Sequence, residues 1–232
     1  AKIGMEYVFK RSGPMSMAPS QLGAFSTAQI AAVNTQSLAS LSTQQLRGFG
    51  AEQIAAFSTE QIFNLTTAQF VSLSTAQVAA METRDLAALT TTQIRLMTNE
   101  QILALTTLQL PNLTTDKVAA LTTAQVAALE TENLVKLTGT PLQSLTTDQV
   151  VALSTLQAAN LGTLQEAALT TAGIAAMETA DVAKLNTAAV AALTTTQIRA
   201  LTTGDDGQVV ALSTGQVVAL KTAQVAAMTT AR

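Results

Sequence analysis

Residues 73–80 read Leu73-Ser-Thr-Ala-Gln-Val-Ala-Ala, residues 89–95 read Leu89-Thr-Thr-Thr-Gln-Ile-Arg, and residues 121–128 read Leu121-Thr-Thr-Ala-Gln-Val-Ala-Ala. The interval between them is always a multiple of eight. With Met17 as the first residue of the frame, residues 17–200 hold 23 such octads. Position 1 is apolar in all 23, and position 6 in 22, with Glu166 the exception. Position 3 is Thr in 19, position 5 is Gln in 15, and position 2 is Ser, Thr, Asn or Gly in 19. A period this short means one small unit stacked many times.

Each octad carries the signals of a helix start. With Ser74 as N-cap, its hydroxyl can accept from the Gln77 N–H three residues on. The Gln77 side chain can reach back to the Ser74 N–H, which makes a capping box, and Leu73 and Val78 are the partners of a hydrophobic staple. Pro19 falls at the first helical position, where a missing N–H costs nothing. A single continuous helix is excluded. Eight residues advance an α-helix by about 800°, or about 80° beyond two turns, so positions 1 and 6 would spiral around its surface. The chain must instead restart a helix of about five to seven residues at every octad, and helices this short persist only by packing on one another.

These arguments predict an all-α solenoid over residues 17–232, preceded by a non-repeat segment at 1–16. The number of octads per turn is open, since two would give helix hairpins and three or four a wider coil. The competing fold is a β-solenoid with 16-residue coils, which the Thr, Val and Ile content tolerates. Ala at positions 7 and 8 and Gln at position 5 favour helix.

Several places break the rhythm. Pro141, after Gly139 and Thr140, occupies the position of the box glutamine. Pro111, at position 7, is expected to shorten the helix that starts near Thr106. Gly204-Asp205-Asp206-Gly207 adds three residues to one octad at 204–207, after which Leu212, Leu220 and Met228 resume the period. Glu166, in a core slot, is expected to turn outward by a register slip or to pair with a Lys or Arg. Phe25, Phe49, Phe57, Phe63 and Phe70 are expected to thicken the core of the first third. The position-3 threonines have no capping role. They are expected to form hydroxyl ladders between layers, to keep one face wet, or to present a flat array of the kind that binds ice.

The composition narrows function by exclusion. The chain has no Cys, His or Trp, 12% charged residues and a net charge of −3. No basic patch is available to neutralise a phosphate backbone, so nucleic acid is excluded as a partner. Without His or Cys the usual nucleophile–base pairs are missing, and no enzyme or cofactor is expected. Asp205 and Asp206 are the only candidates for a cation site, and they supply far fewer oxygens than a calcium loop needs. Thr, Ser and Gln interrupt every apolar run, so no membrane span is expected. Residues 1–14 lack the apolar region of a signal peptide. The chain stops at Thr230-Ala231-Arg232 without a polar capping repeat, which suggests open stacking faces.

The quoted octads resemble the repeats of very long bacterial surface proteins labelled "heme utilisation or adhesion". The resemblance spans about residues 17–232 and implies an exported, surface-associated or fibrous protein. The haem part of that label finds no support in these residues, since without His or Cys only Tyr7 or a Met could ligate iron. The expectation is therefore a non-enzymatic, extracellular or cell-surface structural repeat protein. It would act as an adhesin stalk or as a filament of copies stacked end to end. The alternative is a solenoid module whose face binds a peptide, a glycan or ice.

Overall fold

The computed structural model describes residues 17–229. The non-repeat segment 1–16, with Tyr7, lies outside the described residues. Among those described, 25 short α-helices and one 3₁₀ turn account for all regular structure. No strand is present among the described residues, so the β-solenoid is ruled out for the repeat.

The octad explains each element. In the Thr75–Ala80 helix, Ser74 is extended at ψ 161° and its hydroxyl accepts from the Gln77 N–H. Position 1 of the next octad, Met81, is extended at ψ 142° and ends the helix. Glu82, the next N-cap, is extended at ψ 152°. Two extended residues thus form a corner, and six helical residues form a side. Most helices run four to six residues, and Thr222–Thr229 has eight.

The chain divides into two compact units, Ala1–Leu113 and Thr114–Arg232. In the first, Ala51–Ala55 packs on Thr75–Ala80, and Thr59–Phe63 packs on Thr83–Ala88. In the second, Thr163–Ala168 packs on Thr187–Ala192. Each of these pairs is offset by 24 residues, so within each unit three octads complete one superhelical turn. Position 6 fills the interior: Ile54, Ile62 and Phe70 are fully buried in the first unit, as are Val126, Leu134 and Val190 in the second. Position 1 lines it beside them, as with Phe57 and Leu161. Burying one such side chain contributes roughly 1.5–3 kcal/mol.

The aromatic expectation holds in part. Phe49, Phe57 and Phe70 are buried, and the Phe49 and Phe57 rings meet edge to face at 5.6 Å. Phe25 is half-buried, and Phe63, at position 7, is 51% exposed. Pro111 does more than shorten its helix: the octad forms only a 3₁₀ turn, Leu110–Asn112. Its box survives nonetheless, for Gln109 Oε1 accepts from the Thr106 N–H at 2.9 Å. Pro141 is accommodated at the third position of the Gly139–Gln143 helix, where the missing N–H leaves no donor to cap. Gly139 enters that helix at φ 60°, a left-handed conformation that favours glycine.

Candidate functional site: glutamine staples and buried acids

The chemistry of this molecule is concentrated at its corners. Short helices leave most of their backbone groups unpaired at both ends, and position 5 serves two sets of them at once. Gln61 is 3% exposed. Its Oε1 accepts from the Ser58 N–H at 2.7 Å, which closes the capping box. Its Nε2 donates to the carbonyls of Ile30 at 3.0 Å and Val33 at 2.6 Å, at the corner one turn earlier. One amide therefore caps the start of its own helix and the end of a helix in the layer below.

The relation recurs along both units. In the first unit, Gln53, Gln69, Gln77 and Gln101 each donate to carbonyls 28 and 31 residues back. In the second, Gln149, Gln157 and Gln197 do the same. The signal for this was present in the sequence. A capping box accepts Glu as readily as Gln, yet no octad between 17 and 200 has Glu at position 5. Glutamate could close the box but has no N–H to give the corner below, so its absence marks a position that needs a donor.

The exceptions show how the corner adapts. Ala189 cannot reach the Leu161 carbonyl, 28 residues back. The N-cap Asn186 donates to that same carbonyl at 2.6 Å, while its Oδ1 accepts from the Ala189 N–H at 2.7 Å. In the lengthened octad the box closes over six residues instead of three. The Thr202 N–H donates to Gln208 Oε1 at 2.9 Å, and Gln208 Nε2 donates to the Met177 carbonyl at 2.7 Å. The three extra residues are looped outward.

Asp205 and Asp206 lie in that loop, exposed to solvent beside Thr179 and Val210, with Gly204 at φ 114°. Among the described residues no group of three or more potential metal-ligating side chains assembles there or elsewhere.

The buried acids are elsewhere. Asp85 and Asp181 hold position 5 in octads whose N-caps are Glu82 and Glu178. Both are essentially inaccessible to solvent. Thr59 Oγ1 donates to Asp85 Oδ1 at 2.8 Å, and Asp85 Oδ2 has no partner. Thr155 stands in the same relation to Asp181, also 26 residues back. Burial pushes both carboxyls above their ordinary values, opposed by these threonine hydrogen bonds. Position-3 threonines therefore reach the next layer at these two places, bonding a carboxyl and not one another, whereas threonines such as Thr75 and Thr123 stand in solvent. A second, longer rhythm announces these octads. Ser37, Asp85, Asn133 and Asp181 replace glutamine at intervals of 48 residues, or two turns of three octads.

Glu166 overturns its expectation. It neither turns outward nor pairs. It is fully buried, both carboxylate oxygens lack partners, and burial pushes its carboxyl up to about 8. The register cannot slip because Gln165, its neighbour, is stapled on both sides: it accepts from the Gly162 N–H at 3.0 Å and donates to the Val135 carbonyl at 2.6 Å. Position 6 is thereby fixed inward, like Leu142 and Val190 one turn to either side.

In comparison with known families, the model of the ALTTAQ repeat matches residues 30–67, 78–115 and 174–205. Matches in three places indicate a repeat protein, in keeping with the helical stacking. A comparison with curated proteins finds no match. Among the described residues no helix is long and apolar enough to cross a membrane.

Proposed function

We propose that the chain is a structural part of an exported or cell-surface repeat protein, an adhesin stalk or filament that catalyses no reaction. The observation that carries this reading is the staple itself. The buried glutamine side chains of the octads are turned on the chain's own backbone, where they hold one turn to the next. Turns held by directional bonds at each corner resist shear and stretching better than turns held by apolar contact alone, because a hydrogen bond weakens steeply with misalignment. The sparse charge and the absence of cysteine from the sequence suit a protein that meets the exterior of a cell.

The same relation, an amide donating to the corner carbonyls of the next layer, would serve between copies, so the expected partner is the chain itself, stacked end to end. Immunogold labelling of cells that make the protein tests the location. Label on the cell surface or on external fibres is expected, and label confined to the cell interior would overturn the reading. Electron microscopy of purified protein at high concentration tests the assembly, with filaments expected and monodisperse short particles counting against it.

A further inference from the structure

Residues 169–192 are the only three consecutive octads between 17 and 200 without glutamine at position 5, which holds Gly173, Asp181 and Ala189 instead. Three octads are one turn. This turn rests on residues 145–168 through three helix pairs: Thr171–Ala176 on Thr147–Val151, Thr179–Lys184 on Thr155–Asn160, and Thr187–Ala192 on Thr163–Ala168. In most other octads a glutamine amide ties such a corner. Here the ties are the Thr155 hydroxyl to Asp181 and the Asn186 amide to the Leu161 carbonyl. Gly173 offers no side chain.

Glu166 lies buried at this junction, on the Thr163–Ala168 helix. We propose that the junction between residues 145–168 and residues 169–192 is a proton-operated seam, closed while Glu166 is protonated and opened when it ionises. A buried carboxylate without partners is costly. Among the elements around Glu166, Gly139–Gln143, Thr155–Asn160, Thr171–Ala176 and Thr187–Ala192 carry no titratable side chain, so no neighbour can compensate its charge. Around Asp181 the ionisable groups are Glu178 and Lys184 on its own helix and Asp205 and Asp206 in the loop beside Thr179. Glu178 adds to the pressure on Asp181 to stay protonated. The seam therefore lacks the glutamine amides that tie other junctions of its unit, and it holds an internal charge that appears as pH rises.

Opening exposes Glu166 to water, where its carboxyl titrates near 4.5, whereas closed it titrates at about 8. Between those values the open fraction is expected to grow about tenfold per pH unit. Hydrogen exchange of the full chain, read by mass spectrometry from pH 5 to 8 and corrected for intrinsic exchange, measures this. The Thr163–Ala168 and Thr187–Ala192 segments should lose protection about tenfold per unit, while the stapled Thr67–Val71 segment, which packs on helices without a buried acid, stays flat. Glu166→Gln, neutral at every pH, should remove most of the slope, and Glu166→Leu serves the same purpose if the amide variant folds poorly. Gly173→Gln with Ala189→Gln should lower the opening about tenfold and keep the slope. Equal slopes in seam and stapled segments, or an unchanged slope in either Glu166 variant, would overturn the proposal.

Discussion

Replacing Gln61 with alanine isolates one staple. Two backbone groups would lose their partner, the N–H of the exposed Ser58 and the buried Val33 carbonyl. The Ile30 carbonyl would keep the Val33 N–H at 3.1 Å, so it is not orphaned. The orphaned Val33 carbonyl costs about 1–3 kcal/mol and the lost bond to the Ser58 N–H about 0.5–1.5 kcal/mol, together about 1.5–4.5 kcal/mol. The glutamine side chain recovers about 1.5–2 kcal/mol of rotamer freedom when it is removed. The net loss is therefore roughly 0–3 kcal/mol with a middle value near 1.5 kcal/mol, from a residue that a hydropathy reading would place on the surface. Gln44, exposed one residue before the buried Gln45, is the control, and its replacement should cost less than about 0.5 kcal/mol. Urea unfolding followed by circular dichroism compares the two midpoints. Equal midpoints for Gln61→Ala and Gln44→Ala would refute the staple as a source of stability.

Other outcomes follow from the same geometry. Asp85→Gln returns the missing donor to its corner and removes a buried acid, so it should stabilise the first unit by about 1–3 kcal/mol at pH 7, read as a raised urea midpoint. For an acid whose folded pKa is raised, stability is full below the unfolded value and falls as pH climbs past it. The native chain, with Asp85, Asp181 and Glu166 all raised, should thus melt higher at pH 5 than at pH 8 in calorimetry, and Asp85→Gln should narrow the gap. Asn186→Ala leaves the Leu161 carbonyl without its donor and should cost about 1–3 kcal/mol, whereas Asn112→Ala, whose amide bonds only the Leu108 carbonyl on the surface, should cost little. Gly48→Ala would drive a Cβ into the Pro19 carbonyl oxygen, and the thermal midpoint should fall by the equivalent of about 1–3 kcal/mol.

The local structure was written plainly in the octad. Ser74, Gln77, Leu73 and Val78 specify a cap, a box and a hydrophobic staple by their spacing alone, and the helices begin where those residues put them. The turn of three octads was not legible. Capping fixes where a helix starts but says nothing of the angle at which the next one leaves, and that angle is set by how positions 1 and 6 from three sides fill one interior. Nor did hydropathy reveal the second role of Gln61, since a buried amide and an exposed one look alike on any scale. Glu166 was misread for a related reason. Its chemistry argues for solvent, but its place is decided by Gln165, whose bonds to two corners outweigh the preference of a single carboxyl.

The octad at 201–211 shows what keeps the stack in phase. Thr202 and Gln208 meet across three surplus residues, and the later amides of Gln216 and Gln224 still find the carbonyls of Leu185 and Leu193. Alignment is thus reset at every corner by which amide meets which carbonyl, and errors in chain length do not accumulate. A lineage of such arrays can gain or shed residues between a cap and its glutamine without disturbing the layers above. The same port would accept a grafted recognition peptide, displayed on the outer surface at a chosen height.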